Sequence, residues 1–139
     1  MRPLIAPLIV ALIALMLAGL THWPPALADR AAALAFAGAI LTVATTLLGF
    51  TLAALAIVAS ITQTTLVQRM HKTGHYDDLL RTLFYAGAVF LAIDMLGFAL
   101  LFGTPATTGV MSVALALHAA ALVLLIDAAR KFRLVLTNL

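Results

Sequence analysis

AAALAFAGAILTVATTLLGFTLAALAIVAS, residues 31–60, holds no charged side chain, and the polar run that follows stays uncharged as far as Arg69. A hydrocarbon core about 30 Å thick takes roughly 20 apolar residues to cross as a helix rising 1.5 Å per residue. This stretch is long enough to cross with residues to spare. Continued as one helix to Thr73 it reaches about 60 Å, roughly twice the apolar thickness. Its end must therefore leave the membrane, and the polar segment Gln63, Thr64, Thr65, Gln68, Arg69 is expected to carry the helix into water. Gly74 is placed to stop it in a left-handed conformation.

Outward from this stretch, the apolar runs 3–20, 83–102 and 110–126, interrupted by a single acid at Asp94, supply three more candidate spans. The breaks between the four are Thr21 to Arg30 with Trp23-Pro24-Pro25, the polar connection 62–81, and the short turn from Gly103 to Gly109. Trp23, Tyr76 and Tyr85 are expected at membrane interfaces, where an amphipathic ring is favoured. The expected fold is all-α, an integral membrane four-helix bundle forming a single domain over residues 1–139.

Composition agrees with this class. Of 139 residues 65% are hydrophobic and 9% charged, there is no Glu, and the mean hydropathy is +1.18. A soluble domain carries about 25% charged residues, so a conventional soluble enzyme or nucleic-acid-binding domain is excluded. The absence of Cys excludes thiol catalysis, disulfides and Cys-ligated metal. The pI near 10.0 calls for a lipid explanation. Arg2, Arg69, Lys72, Arg81, Arg130, Lys131 and Arg133 fall on one side of the four spans and only Arg30 on the other. The positive-inside rule then puts both termini in the cytoplasm, with 62–81 a cytoplasmic connection, and the basic ends can hold anionic lipid. The expected location is a bacterial inner membrane, crossed several times.

The first span has a rival reading as a secretory signal, since Ala26-Leu27-Ala28 before Asp29 resembles a cleavage site and cleavage leaves three spans. The Trp23-Pro24-Pro25 break between the apolar run and that triplet favours an uncleaved helix.

Asp94 is the only acid deep in an apolar span. An ionised Asp there costs about 2.5 to 3.5 kcal/mol on insertion scales, so it should face other helices and find a partner. His118 is the candidate: it lies nine residues after Gly109, as Asp94 lies nine before Gly103, and an antiparallel hairpin brings both to one depth. The pair reads either as a proton-responsive or ion-pathway element, or as a buried bond that fixes helices three and four. Gly87 and Gly97 share a face with Asp94, and Ala114 and Ala121 flank His118.

A second signal is a row of small or weakly polar residues on helix two: Gly38, Thr42, Thr45, Gly49, Ala53, Ala56 and Ser60. Spacings of three and four keep them on one face, suited to close helix packing or to lining a narrow pore. Asp77 and Asp78 are placed to start helix three at its positive dipole end, with Arg81 positioned to pair with them. Gln63, Gln68, Arg69, Lys72, Asp77, Asp78 and Arg81 together offer a cytoplasmic gate or partner surface. His71 and His75 have i, i+4 spacing with Gly74 between them, a weak metal signal. No phosphate loop, Ser-His-Asp motif or nucleotide fingerprint is present. No enzymatic activity, cofactor, metal or direct nucleic-acid contact is expected.

The pattern from helix two onward resembles the RexB family, the four-helix membrane proteins of bacteriophage lambda's exclusion system. The residues that carry the likeness are Gly49-Phe50-Thr51-Leu52-Ala53-Ala54-Leu55, the basic turn with Gly74-His75-Tyr76, Asp94-Met95-Leu96-Gly97, and His118. The third-span acid is Asp here in place of Glu. The resemblance implies an inner-membrane ion channel that depolarises an infected cell and aborts phage growth. A four-helix monomer is too slim to enclose water easily, so conduction calls for a homo-oligomer with one helix per subunit facing the axis. Helix two is the expected lining, leucine and phenylalanine a closed gate, and a cytoplasmic sensor protein a possible trigger. A non-conducting membrane anchor or assembly subunit, and a small proton-coupled carrier using Asp94, are the readings from other classes.

Overall fold

The computed structural model describes residues 5–21, 29–60 and 74–137, and the chain there is all-helical. Four helices follow in order: α1 (Ile5–Thr21), α2 (Arg30–Ser60), α3 (His75–Leu101) and α4 (Thr108–Thr137). Three of them, α2, α3 and α4, are long and apolar enough to cross a membrane. With 17 residues, α1 measures about 25 Å, near the lower limit for a span.

Local chemistry sets the helix ends. Asp29 caps α2: its two carboxylate oxygens accept the backbone N–H groups of Ala31 and Ala32, each at 3.2 Å. These are donors with no partner inside the helix. Gly74 precedes α3 with φ +73°, a left-handed conformation that costs other residues energy, and Asp77 and Asp78 occupy the first turn. At the far end, Gly103 takes φ +107° and lets the Thr104 N–H reach back to the Ala99 carbonyl at 3.0 Å. This closes the helix in the manner of a Schellman turn. Thr107 then opens α4, its hydroxyl accepting the Val110 N–H and its carbonyl the Met111 N–H.

The helices pack pair by pair: α2 on α3, α3 on α4, and α4 on α1. The principal partner of α1 is thus α4, the helix most distant in sequence, and α1 and α2 do not form a principal pair. The main core is built from α2, α3 and α4, with Ala37, Ile40 and Ala44 facing Phe90 and Ile93, and Met111, Ala114 and Leu124 completing it. A smaller cluster joins Val58, Tyr76, Leu79, Leu83 and Ala128. Tyr76 is therefore buried between helices, and Tyr85 packs partly against the main core. Both rings are used in packing. Trp23 lies outside the described residues.

Small side chains let α2 and α3 approach. A Cβ built on Gly97 meets Leu41 Cγ at 2.7 Å, closer than side chains come, whereas one on Gly87 meets Leu48 and Thr51 at ordinary distances. The matched positions run antiparallel, with Leu41 beside Gly97 and Thr51 beside Gly87.

Candidate functional site

Asp94 is 5% exposed and turns toward α2, where its Oδ1 accepts a hydrogen bond from the Thr45 hydroxyl at 3.0 Å. His118 takes a different partner, with its Nδ1 2.8 Å from the Ala114 carbonyl one turn earlier on α4. A carbonyl can only accept, so Nδ1 carries the proton and, in the neutral ring, Nε2 keeps the lone pair.

The expected Asp94–His118 hydrogen bond is thus replaced by two separate ones, and the cause is rotation rather than depth. On α3, Thr82 meets Lys131 of α4. Twelve residues further along α3 and twelve back along α4, this register brings Asp94 level with Ala119, next to His118. Yet twelve residues also turn a helix by about 120° beyond whole turns. The face of α3 that meets α4 at Thr82 has by then rotated away. Gly87, Asp94 and Gly97 all lie on the side that meets α2, as the glycine contacts with Leu41, Leu48 and Thr51 establish.

The small-residue row on α2 also has a definite place. The residues of α2 that are buried are Ala37, Ile40, Ala44, Thr51 and Val58. Thr42 and Ala44, Thr51 and Ala53, and Val58 and Ser60 are each two residues apart, about 160° round the helix. The row Gly38 to Ser60 therefore lies nearly opposite the packed face. Thr42, Thr45, Gly49, Ala53, Ala56 and Ser60 are exposed and Gly38 half-buried. Cβ atoms added at Gly38 or Gly49 meet nothing within 4 Å. The row does not pack against the described part of its own chain, except where Thr45, at its edge, reaches Asp94. Its other hydroxyls bond to their own helix: Thr42 to the Gly38 carbonyl, Ser60 to that of Ile57, and the adjacent Thr46 to that of Thr42.

A further polar cluster escaped the sequence reading. Lys131 Nζ lies 2.7 Å from Asp78 Oδ2, 2.7 Å from Asp127 Oδ2 and 2.8 Å from the Thr82 hydroxyl oxygen. Three partners match the three N–H groups of an ammonium. Thr82 is fully buried, and while accepting from Lys131 it donates to the Asp78 carbonyl. Asp78 thus clasps α4, where the sequence reading offered Arg81 as its partner. The i, i+4 spacing of Asp127 and Lys131 was the available signal.

Of the expected cytoplasmic surface, Asp77 and Arg81 are exposed and Asp78 is half-buried in this clasp. Gln63, Gln68, Arg69 and Lys72 lie outside the described residues, as does His71. Among the described residues no group of three His, Asp or Glu side chains could hold a metal ion.

No family model, curated protein or solved structure matches the chain. Its class rests on its own architecture, an all-helical chain with the make-up of a multi-pass membrane protein.

Proposed function

We propose that this protein assembles with copies of itself into a membrane channel in which α2 of each subunit turns its small-residue row toward a shared axis. The observation that carries the reading is the exposed row Gly38 to Ser60, opposite the packed face of α2. Small residues allow copies of α2 to approach one another closely, and the hydroxyls of Thr42, Thr45 and Ser60 supply polar atoms along the path. Pairwise packing of four helices leaves a conduit to form between copies, which closed symmetry provides.

The distribution of Lys and Arg supports four spans in a bacterial inner membrane with both termini in the cytoplasm. The resemblance to the RexB family extends the proposal to depolarisation during phage infection, with a cytoplasmic sensor acting on the surface from Gln63 to Arg81. The protein acts through lipid and self-association, without enzymatic chemistry or a cofactor.

The test is purified protein in a planar bilayer. Discrete conductance steps are expected from the wild type, their loss from Gly49→Phe on the row, and their retention in Phe50→Ala on a neighbouring exposed face. A folded wild type that stays silent overturns the channel and leaves a non-conducting anchor or assembly subunit. One observation favours that second reading: Thr42 and Ser60 already satisfy their hydroxyls on their own helix, as such residues do when they face lipid.

A further inference from the structure

We propose that Asp94 is a positioning residue, whose acceptance of the Thr45 hydrogen bond selects which face of α2 packs on α3 and so keeps the Gly38-to-Ser60 row turned outward. The inference concerns helix facing, and stands whether or not the protein conducts.

The need for such a device follows from the surface of α2. One face carries Ala37, Ala44 and Thr51, and the nearly opposite one carries Gly38, Gly49 and Ala53. Both are small enough for close approach. In lipid, apolar burial does not drive one helix onto another, because hydrocarbon tails are as apolar as leucine, and packing and hydrogen bonds decide the match. Packing alone leaves the glycine-bearing face a strong competitor for α3. Thr45 lies at the boundary between the faces, about 100° round the helix from Ala44. Its hydroxyl reaches Asp94 when the Ala44 face is seated. Turning the row onto α3 moves Thr45 away from Asp94, 5% exposed, and breaks this bond, while Thr42 and Thr46, which that rotation brings nearer, already donate their hydroxyls to carbonyls of their own helix. Leu41, one turn earlier, seats over Gly97 in the same arrangement.

On this reading the contribution of Asp94 is that of a hydrogen-bond acceptor, and Asn presents a carbonyl oxygen at the same branch. The native chain has no Cys, so cysteine pairs introduced into the full-length protein and oxidised in membranes report the facing directly. Thr51→Cys with Gly87→Cys, where a Cβ has room, should cross-link, and Ala53→Cys with Gly87→Cys should not. Adding Thr45→Val, close in shape but without the donor, should lower the first yield and raise the second. The expected shift is about threefold, the equivalent of the ~0.6 kcal/mol typical of an interhelical hydrogen bond in a membrane. Asp94→Leu should act in the same way, and Asp94→Asn should keep the native pattern. Should Asp94→Leu fail to accumulate, Thr45→Val carries the test alone. The proposal is overturned if Thr45→Val leaves both yields unchanged, if Asp94→Asn shifts them as Thr45→Val does, or if the 51–87 pair fails to cross-link in the native background.

Discussion

Leu41 of α2 occupies the space that a side chain at residue 97 of α3 would need, its Cγ lying 2.7 Å from where a Gly97 Cβ would fall. One turn further along α2, Thr45 bonds to Asp94. Shape and polarity thus register the same pair of helices within a single turn. Gly97→Ala is expected to destabilise the α2–α3 pair by about 1–3 kcal/mol through overpacking, and Leu41→Ala should restore most of the loss. Unfolding in mild detergent, followed for both single variants and the double variant, checks this; additive effects would contradict it.

The two other glycine environments predict opposite signs. Gly103 has φ +107° in the turn after α3, so Gly103→Ala should cost roughly 1–2 kcal/mol from the strain of a Cβ in left-handed backbone. Gly19 lies within α1 with nothing near its Cβ position, and Gly19→Ala should stabilise by about 0.5–1 kcal/mol. Thermal denaturation of the two variants side by side provides the comparison.

The Lys131 clasp joins the start of α3 to the late turns of α4. Removing the Thr82 hydroxyl with Thr82→Val should cost about 1 kcal/mol, since it leaves Lys131 short of one acceptor in a buried corner. The side chains of Asp78 and Asp127 are 47% and 40% exposed, so solvent screens their share. A double-mutant cycle of Lys131→Met with Asp78→Asn should give a coupling of only ~0.5–1 kcal/mol, reduced further by added salt. A coupling that does not respond to salt would show a drier site than these exposures imply.

Topology yields to reporter fusion. A fluorescent protein that folds only in the cytoplasm, attached after Leu139, should be bright in bacteria, and a periplasmic phosphatase at the same place should be inactive. The reverse result would overturn the orientation drawn from Arg69, Lys72, Arg81, Arg130, Lys131 and Arg133.

Much of the class was legible without a structure. Long uncharged runs announce membrane-length helices because lipid offers backbone groups no partners and forces them to bond within the segment. The left-handed conformation of Gly74 and the turn beginning at Gly103 were both legible, the first from the freedom of glycine and the second from the break between apolar runs. The level of Asp94 beside His118 was also readable, since distance from a hairpin turn sets height along a helix. What could not be read was direction around the axis. Each residue turns the chain by about 100°, and nothing in a run such as LTVATTLLGF says which side a neighbour will occupy. Two faces of α2 are small, and the row expected from spacing is the one that, Thr45 apart, does not pack against the described part of the chain.

By itself, then, the sequence determined that the chain is helical and apolar enough for a membrane. Only the tertiary structure decided that Asp94 answers to Thr45, that Lys131 gathers Asp78, Asp127 and Thr82, and that α1 packs on α4. The division has a physical cause. Hydropathy and backbone hydrogen bonding act within one segment and leave their mark on its composition. The rotation and pairing of helices depend on contacts between residues as far apart as Thr45 and Asp94, which no local pattern records.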